Sequence, residues 1–338
     1  MVVLGAIGEI NIQAAIDRWH KEHREPPRPH LGLSLLGHPC DRWIWLSFRW
    51  AVREDFSGRM LRLFRRGKRE EETIVRDLRA IGISIHSTCL DPDGQSRVDF
   101  GCHVSGSIDG IIEQGVPGAE KTRHIAEFKT HNCKSFAELK AKGVLAAKRQ
   151  HWWQMQGYML GTGIERALYV AVCKDNDEMY TERVSLDKPM AEALIDRGHK
   201  LALEEELPEP LSADPSYFEC QMCPANDFCH FSHLSTCVNC RTCSLVTPTA
   251  DGNFVCWAQD NYVLSPEEQL TGCRAHIAHR DLVPWRYLGA EEDTRAVRYE
   301  IQGKEYLNGD RIYHSEAMET NELLIIGQQT PQAQETPF

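Results

Sequence analysis

Asp109, Glu127 and Lys129 are the residues whose types and spacing most plainly suggest chemistry. Asp109 sits in Gly106-Ser-Ile-Asp-Gly110 at the end of a strand-like stretch, and eighteen residues later comes Ile125-Ala-Glu127-Phe-Lys129-Thr. Strand residues i and i+2 face one side, so Glu127 and Lys129 project together while Ala126 and Phe128 face the other way. A hairpin between the two strands would bring Asp109 beside Glu127. Two carboxylates so placed make an oxygen-rich site suited to Mg2+ or Mn2+, with room for waters and a phosphate. Such an ion acidifies a water and stabilises charge building on phosphorus, and Lys129 would orient that water or neutralise the charge. A Glu-x-Lys step alone is an ordinary exposed strand pair; its context gives it weight. Glu71 lies upstream in a helix, four residues after Gly67, and Gln154 and Tyr158 fall one turn apart on one helix face downstream. Those two side chains would hold a phosphate or order the site.

The chain holds thirteen cysteines. It is neither short nor led by a secretory signal, so metal ligation is favoured over a disulfide framework. Cys220-Gln-Met-Cys223 and Cys229 form a C-x2-C-x5-C run that needs a fourth ligand. Nearby choices are His230 and Cys237, which would give a zinc site; a distant one is Cys40. A second group follows in Cys240-Arg-Thr-Cys243, Cys256 and Cys273-Arg-Ala-His276. Cys240, Cys243, Cys256 and Cys273 suit tetrahedral Zn2+, with His276 as substitute and Cys237 as an alternative partner of Cys240. This module has few basic residues, Arg241, Arg274 and Arg280, so its expected role is a small fold that needs metal because its core is tiny. Of the remaining cysteines, Cys89, Cys102, Cys133, Cys173 and Cys237, most read as inert buried thiols.

Elements must position these groups. The apolar spacing predicts helices over 7–22, after Pro39 with Trp43, Trp45 and Trp50, and over 58–81. Strands are expected at 83–90, 97–104, 106–114 and 123–130, with turns at 91–94 and 115–118. Helices at about 134–142 and 149–161, strands at 166–173 and 178–184, and a helix at 188–205 complete the segment. The expected fold class is α/β, a mixed central sheet flanked by helices, with a small C-terminal cysteine-rich metal-binding module. Pro208, Pro210 and Pro215 mark the linker between them. The expected division is an N-terminal helical segment (1–30), a core domain (31–232), a zinc-ribbon-like module (233–285), a small β-rich extension (286–326) and a disordered tail (327–338).

Composition bounds the function. At 42% hydrophobic and 26% charged residues, the 338-residue chain reads as a soluble globular protein. It has no apolar stretch long enough for a membrane span and no basic leader, so a cytoplasmic location with no membrane partner is expected. The net charge of −11 argues against a nucleic-acid partner, but residues 42–79 carry eleven Arg/Lys against six Asp/Glu. A local basic patch attracts phosphates even on an anionic molecule.

In order, Gly67…Glu71, Gly106-x-x-Asp109-Gly110, Glu127-x-Lys129 and Gln154-x3-Tyr158 resemble the PD-(D/E)XK nuclease superfamily, in its RecB-like and phage-exonuclease branch. The resemblance covers roughly residues 30–230. It implies a restriction-endonuclease-like sheet, with Asp109 and Glu127 as metal ligands, Lys129 as catalytic lysine and Glu71 as the first-motif acid. Gln154 and Tyr158 match the helix motif after the core. Ile108 stands where the superfamily's name has proline, and Glu71 where many RecB-like members carry histidine; Glu70 and Glu72 leave that register open by one residue. One cysteine before the core and C-x2-C-x5-C after it resemble the iron–sulfur members, the CRISPR-associated exonucleases and AddB-type helicase–nuclease subunits. That match implies a [4Fe–4S] cluster on Cys40, Cys220, Cys223 and Cys229. It would close a loop of about 180 residues, a cross-link of roughly 5 kcal/mol on the chain-entropy scale of disulfides.

The function this implies is a divalent-metal-dependent DNA exonuclease working on linear ends or single-stranded regions. Its product would be single-stranded DNA for recombination or repair in a phage- or prophage-type setting, with a single-strand annealing or recombinase protein as partner. The alternative is a non-catalytic DNA-binding scaffold on a nuclease fold that recruits such a partner. Trp43, Trp45, Trp152 and Trp153 read as packing rather than base-stacking residues.

Overall fold

The computed structural model describes residues 11–91, 96–292 and 295–328. In chain order the helices are α1 (Ile12–Glu22), α2 (Leu33–Leu36), α3 (Asp41–Phe48), α4 (Gly58–Ala80), α5 (Cys133–Ala147), α6 (Arg149–Thr162), α7 (Lys188–Leu203), α8 (Phe218–Gln221), α9 (Pro266–Gln269) and α10 (Thr320–Gln328). The strands are β1 (Leu31–Gly32), β2 (Ser84–Ser87), β3 (Arg97–Asp99), β4 (Val104–Ser107), β5 (Gly110–Gln114), β6 (His124–His131), β7 (Arg166–Cys173), β8 (Met179–Ser185), β9 (Val246–Pro248), β10 (Phe254–Cys256), β11 (Tyr262–Leu264), β12 (Arg286–Ala290), β13 (Ala296–Ile301) and β14 (Lys304–Gly309). The described residues fall into two compact units, one of 11–28, 54–91, 96–98 and 106–192, the other of 29–53, 99–105, 193–292 and 295–328. The expected division ran along the chain; these units interleave, because the segments 29–53 and 99–105 belong with the C-terminal half.

The first unit is built on a five-stranded mixed sheet in the order β2-β5-β6-β7-β8. Only β6 and β7 run parallel, Glu127 facing Tyr169 and Lys129 facing Ala171. A parallel pair needs a long crossover, which α5 and α6 supply. Central strand β7 is accordingly buried along almost its whole length, whereas edge strand β8 alternates and carries Glu182 and Arg183. Helix α4 lays Ile74, Val75 and Leu78 on the face formed by Ile85, Ile112, Phe128 and Val170. Each such buried side chain contributes about 1.5–3 kcal/mol, which lets the helix carry a row of like-charged arginines on its outer face. Helix α5 breaks at Gly143 (φ +74°). There a side-chain carbon would crowd the Glu182 carboxylate, which accepts the Val144 N–H at 2.8 Å.

One departure from the expected elements shapes the site. The strand read over 106–114 is two strands, β4 and β5, interrupted at Ile108 and Asp109. Gly110 restarts the ladder opposite Ser87, and a Cβ on it would stand 2.9 Å from the His86 carbonyl oxygen. The Asp-Gly step is therefore set by close approach of two backbones. Helix α1 begins after its Asn11 cap, and residues 7–10 of the expected helix lie outside the described residues. So do residues 92–94 of the first expected turn and 329–338 of the expected tail, whose first residues, Gly327 and Gln328, instead finish α10.

The second unit holds two three-stranded antiparallel sheets, β9–β11 and β12–β14. Trp43, Trp45 and Phe228 share one core cluster with Cys40, Cys223 and Cys229 packed against it. Trp285, Tyr299 and Leu323 form another. Trp50 falls beyond α3, with φ +51°, rather than inside it. Its ring lies 3.7 Å under the Arg241 guanidinium, with Phe254 at 4.2 Å on the same group. Arg241 also donates to the carbonyls of Phe48 and Pro29, each at 2.7 Å. It is a buried tie rather than a DNA contact. Among the described residues no helix is long and apolar enough to cross a membrane.

Candidate active site

In the first unit, the β5–β6 pairing sets Gly110 against Ala126 and so brings Asp109 to Glu127, as the hairpin expectation required. The Phe128 N–H donates to Asp109 Oδ2 at 3.0 Å. Lys129 Nζ contacts Glu127 Oε1, lies 3.9 Å from Asp109 Oδ2, and donates to the Phe128 carbonyl at 3.2 Å. Glu127 is fully buried, and its second oxygen, Oε2, has no hydrogen-bond partner. A buried carboxylate oxygen without a donor is costly. A bound cation would relieve that cost, so the donor set fits a hard divalent ion.

Glu71 comes from α4, within reach of the Asp109 and Lys129 charges. Burial, with Asp109 adding to it, pushes its carboxyl up to about 7. Burial pushes Glu127 up to about 8 even with Lys129 against it. Burial alone would lower the Lys129 ammonium, but Glu127 and Asp109 outweigh it and raise it. Three carboxyls thus surround one cation, short of positive charge. Of the neighbouring acids, Glu72 points to Arg76 at 3.9 Å. Gln154 and Tyr158 are both buried on α6, and the Gln154 amide donates to the Tyr158 hydroxyl at 2.9 Å. Burial and Glu127 raise the Tyr158 phenol, so it stays protonated.

Three residues here were not singled out from the sequence. Tyr169, paired with Glu127 in the parallel register, bonds through its hydroxyl to His131 Nε2 at 3.0 Å and His151 Nδ1 at 2.9 Å. Burial, with Lys129 contributing, pushes His131 down to about 4 and His151 to about 2. Both stay neutral, with the Lys129 and Lys148 ammonium groups nearby. His131 was readable by alternation from Lys129; Tyr169 depended on a register that no local pattern encodes.

In the second unit, Cys40, Cys220, Cys223 and Cys229 line one cavity, together with His38 and His230. Cys40 Sγ caps α3 by accepting the Trp43 N–H, and Cys223 Sγ accepts the Ala225 N–H, each at 3.4 Å. His230 Nε2 is buried there without a hydrogen-bond partner. A second cavity is lined by Cys240, Cys243, Cys256, Cys273 and His276. Cys243 Sγ accepts the Leu245 and Ile277 N–H groups, both at 3.4 Å, and Cys240 donates to the Thr271 carbonyl at 3.4 Å. Both nitrogens of His276 are engaged, by Thr242 at 3.1 Å and Thr320 at 2.9 Å, so this histidine is spoken for. Cys237 is not among the lining residues. In neither cavity do three donor atoms approach within 4.8 Å of one another, wider than the roughly 3.8 Å sulfur spacing of a closed zinc tetrahedron. Both sets have soft-metal donors.

The fold is a mixed α/β architecture. No family matches the chain, and no curated protein matches it. Among solved structures, the crystal structure of SSO0001 is similar over 64% of this chain and 96% of its own, at 14% identity and a TM-score of 0.41. An alkaline exonuclease from Laribacter hongkongensis, LHK-Exo, is similar over 50% and 87% at 17% identity and 0.33. LHK-Exo in complex with dAMP overlaps 51% and 86% at 16% identity and 0.38. Overlaps this loose carry no argument, and what the chain does is read from its own side chains.

Proposed function

We propose that the chain is a divalent-metal-dependent deoxyribonuclease, an exonuclease acting on linear DNA ends. One observation carries the reading: a buried Glu127 with one oxygen on Lys129 and the other without a partner, beside the Asp109 carboxylate. Asp109, Glu127 and Glu71 would hold Mg2+ or Mn2+, which supplies Lewis acidity toward a phosphodiester and its attacking water. Lys129 stays protonated and faces the charge that develops on the phosphate oxygens. Gln154 and Tyr158 are buried and bonded to each other, so they act by positioning the Glu127–Lys129 pair. Helix α4 adds a basic groove on the helix that carries Glu71, where Arg59, Arg65 and Arg69 would meet phosphates while Arg62 pairs with Asp17 and Arg66 donates to the Lys174 carbonyl. Binding should therefore weaken steeply with salt.

In the second unit, Cys40, Cys220, Cys223 and Cys229 are assigned a structural [4Fe–4S] cluster, with His230 as the rival to Cys40. Cys240, Cys243, Cys256 and Cys273 are assigned Zn2+. A role in producing single-stranded DNA for recombination or repair, and an annealing or recombinase partner, rest on the motif resemblance.

The test is digestion of end-labelled linear DNA and a covalently closed circle, with Mg2+ or Mn2+, by wild type and Lys129→Ala purified anaerobically. Loss of the linear substrate alone, by wild type alone, is expected. Cleavage of the circle would make it an endonuclease. No cleavage by metal-loaded wild type would favour the scaffold alternative.

A further inference from the structure

Cys133 departs from the expectation of inert buried thiols. It is exposed, at the first position of α5, while Cys173, the last residue of β7, is buried. Their sulfurs are 3.6 Å apart. Asp175, exposed in the turn that follows β7, accepts the Cys133 N–H through Oδ2 at 2.8 Å. Among the described residues, this is the one group of three Cys, His, Asp or Glu donors whose ligand atoms all lie within 4.8 Å of one another.

We propose that Cys133, Cys173 and Asp175 form a binding site for a thiophilic divalent cation of the zinc class, separate from the carboxylate site and from both cavities of the second unit. The 3.6 Å between sulfurs is close to the roughly 3.8 Å edge expected when two thiolates share a tetrahedral zinc with Zn–S bonds of about 2.3 Å. Two sulfurs select against Mg2+ and Ca2+, which take oxygen ligands. Cys133 and Cys173 are held in regular backbone, and Asp175 follows in the turn after β7. His131 pairs in register with Cys173, the Lys174 N–H donates to the His131 carbonyl at 2.9 Å, and Asn132 caps α5 next to Cys133. Three protein donors leave one position facing solvent through the exposed Cys133 side, as in zinc sites that keep a water. Binding displaces the two thiol protons to solvent. An ion there would fasten the exits of the parallel pair β6 and β7 to the start of α5. The proposal does not depend on the nuclease reading.

The experiment follows alkylation of Cys133 by iodoacetamide in the reduced full-length protein, mapped by mass spectrometry, with and without added Zn2+. Zinc is expected to slow alkylation of Cys133 at least tenfold in wild type. That protection should be lost in Cys173→Ser and weakened several-fold in Asp175→Asn. Asp175 is an exposed turn residue, so its variant keeps the test open should Cys173→Ser fail to fold. Equal alkylation with and without zinc overturns the site. Protection that survives undiminished in Asp175→Asn overturns the three-donor assignment.

Discussion

The carboxylate cluster of the first unit and the cysteine cavities of the second bring their candidate ligands together by different means. Asp109, Glu127 and Glu71 come from a strand junction, a central strand and a helix, and reach one point because sheet register and helix packing put them there. Burial holds protons on Glu71 and Glu127 well above the ordinary carboxylate range. The cysteines come from short helical turns, a short strand and the loops beside them, around C-x2-C at 220–223 and 240–243, with one or two distant partners. There burial pushes Cys223 up to about 11 and Cys243 to about 12, so these thiols ionise only when a cation takes the proton's place. The first site rests on a sheet with a continuous apolar core. The second unit has small sheets of short strands, where metal has more of the stability to supply.

The largest test of this contrast is Lys129→Ala. Cleavage of end-labelled DNA should fall by about 10²–10³-fold or more, with the circular dichroism spectrum unchanged because β6 keeps its ladder. Unfolding of the variant would show that the pair holds the sheet as well as the chemistry.

Cys40→Ser should act in the opposite sense, on stability before activity. Losing a cross-link of roughly 5 kcal/mol lowers the melting temperature by about 10 °C or more and removes the visible absorbance of anaerobically purified protein. An unchanged spectrum would pass the fourth ligand place to His230. Chelation of zinc, or Cys243→Ser, should likewise lower stability and remove about one zinc per chain, whereas His276→Gln should leave the zinc content intact.

The pH dependence sharpens the contrast further. In the metal-free protein, Glu71 and Glu127 keep their protons up to about 7 and 8, while the unfolded chain ionises them from 4.5. The folded state then binds more protons, so stability falls as pH rises between those limits, and saturating Mg2+ should flatten that slope in thermal melts. At limiting Mg2+, cleavage should rise up to about a hundredfold per pH unit below pH 7, where both groups hold protons, up to about tenfold per unit between 7 and 8, and level off above about 8. A flat profile would mean the ion does not displace these protons.

The smallest effect separates neighbours on α4. Glu71→Ala should cost cleavage at least tenfold, and Glu72→Ala should stay within about 0.5 kcal/mol of wild type in stability with unchanged cleavage, since Glu72 faces Arg76 at the surface.

Much of the core was legible because its signals are local. Alternation placed β6 with Glu127 and Lys129 on one side, and a 3.6-residue period placed α4 and α6 with Glu71, Gln154 and Tyr158. The break at Ile108–Asp109 was not legible, since it answers to the approach of the Gly110 and His86 backbones across a gap in sequence. The exposure of Cys133 was missed for a similar reason: thiol burial depends on which side of a helix start faces the sheet.

By itself the sequence determined the elements and the candidate ligands, through residue type and spacing, which act over a few residues along the chain. Tertiary structure decided which candidates meet. Parallel register set Tyr169 beside Glu127, and hydroxyl partners from distant segments occupied both nitrogens of His276. The packing of β7 against β6 put Cys173 within 3.6 Å of Cys133. Those outcomes depend on pairings between segments tens of residues apart, where the energy of burial and register, and not local propensity, makes the choice.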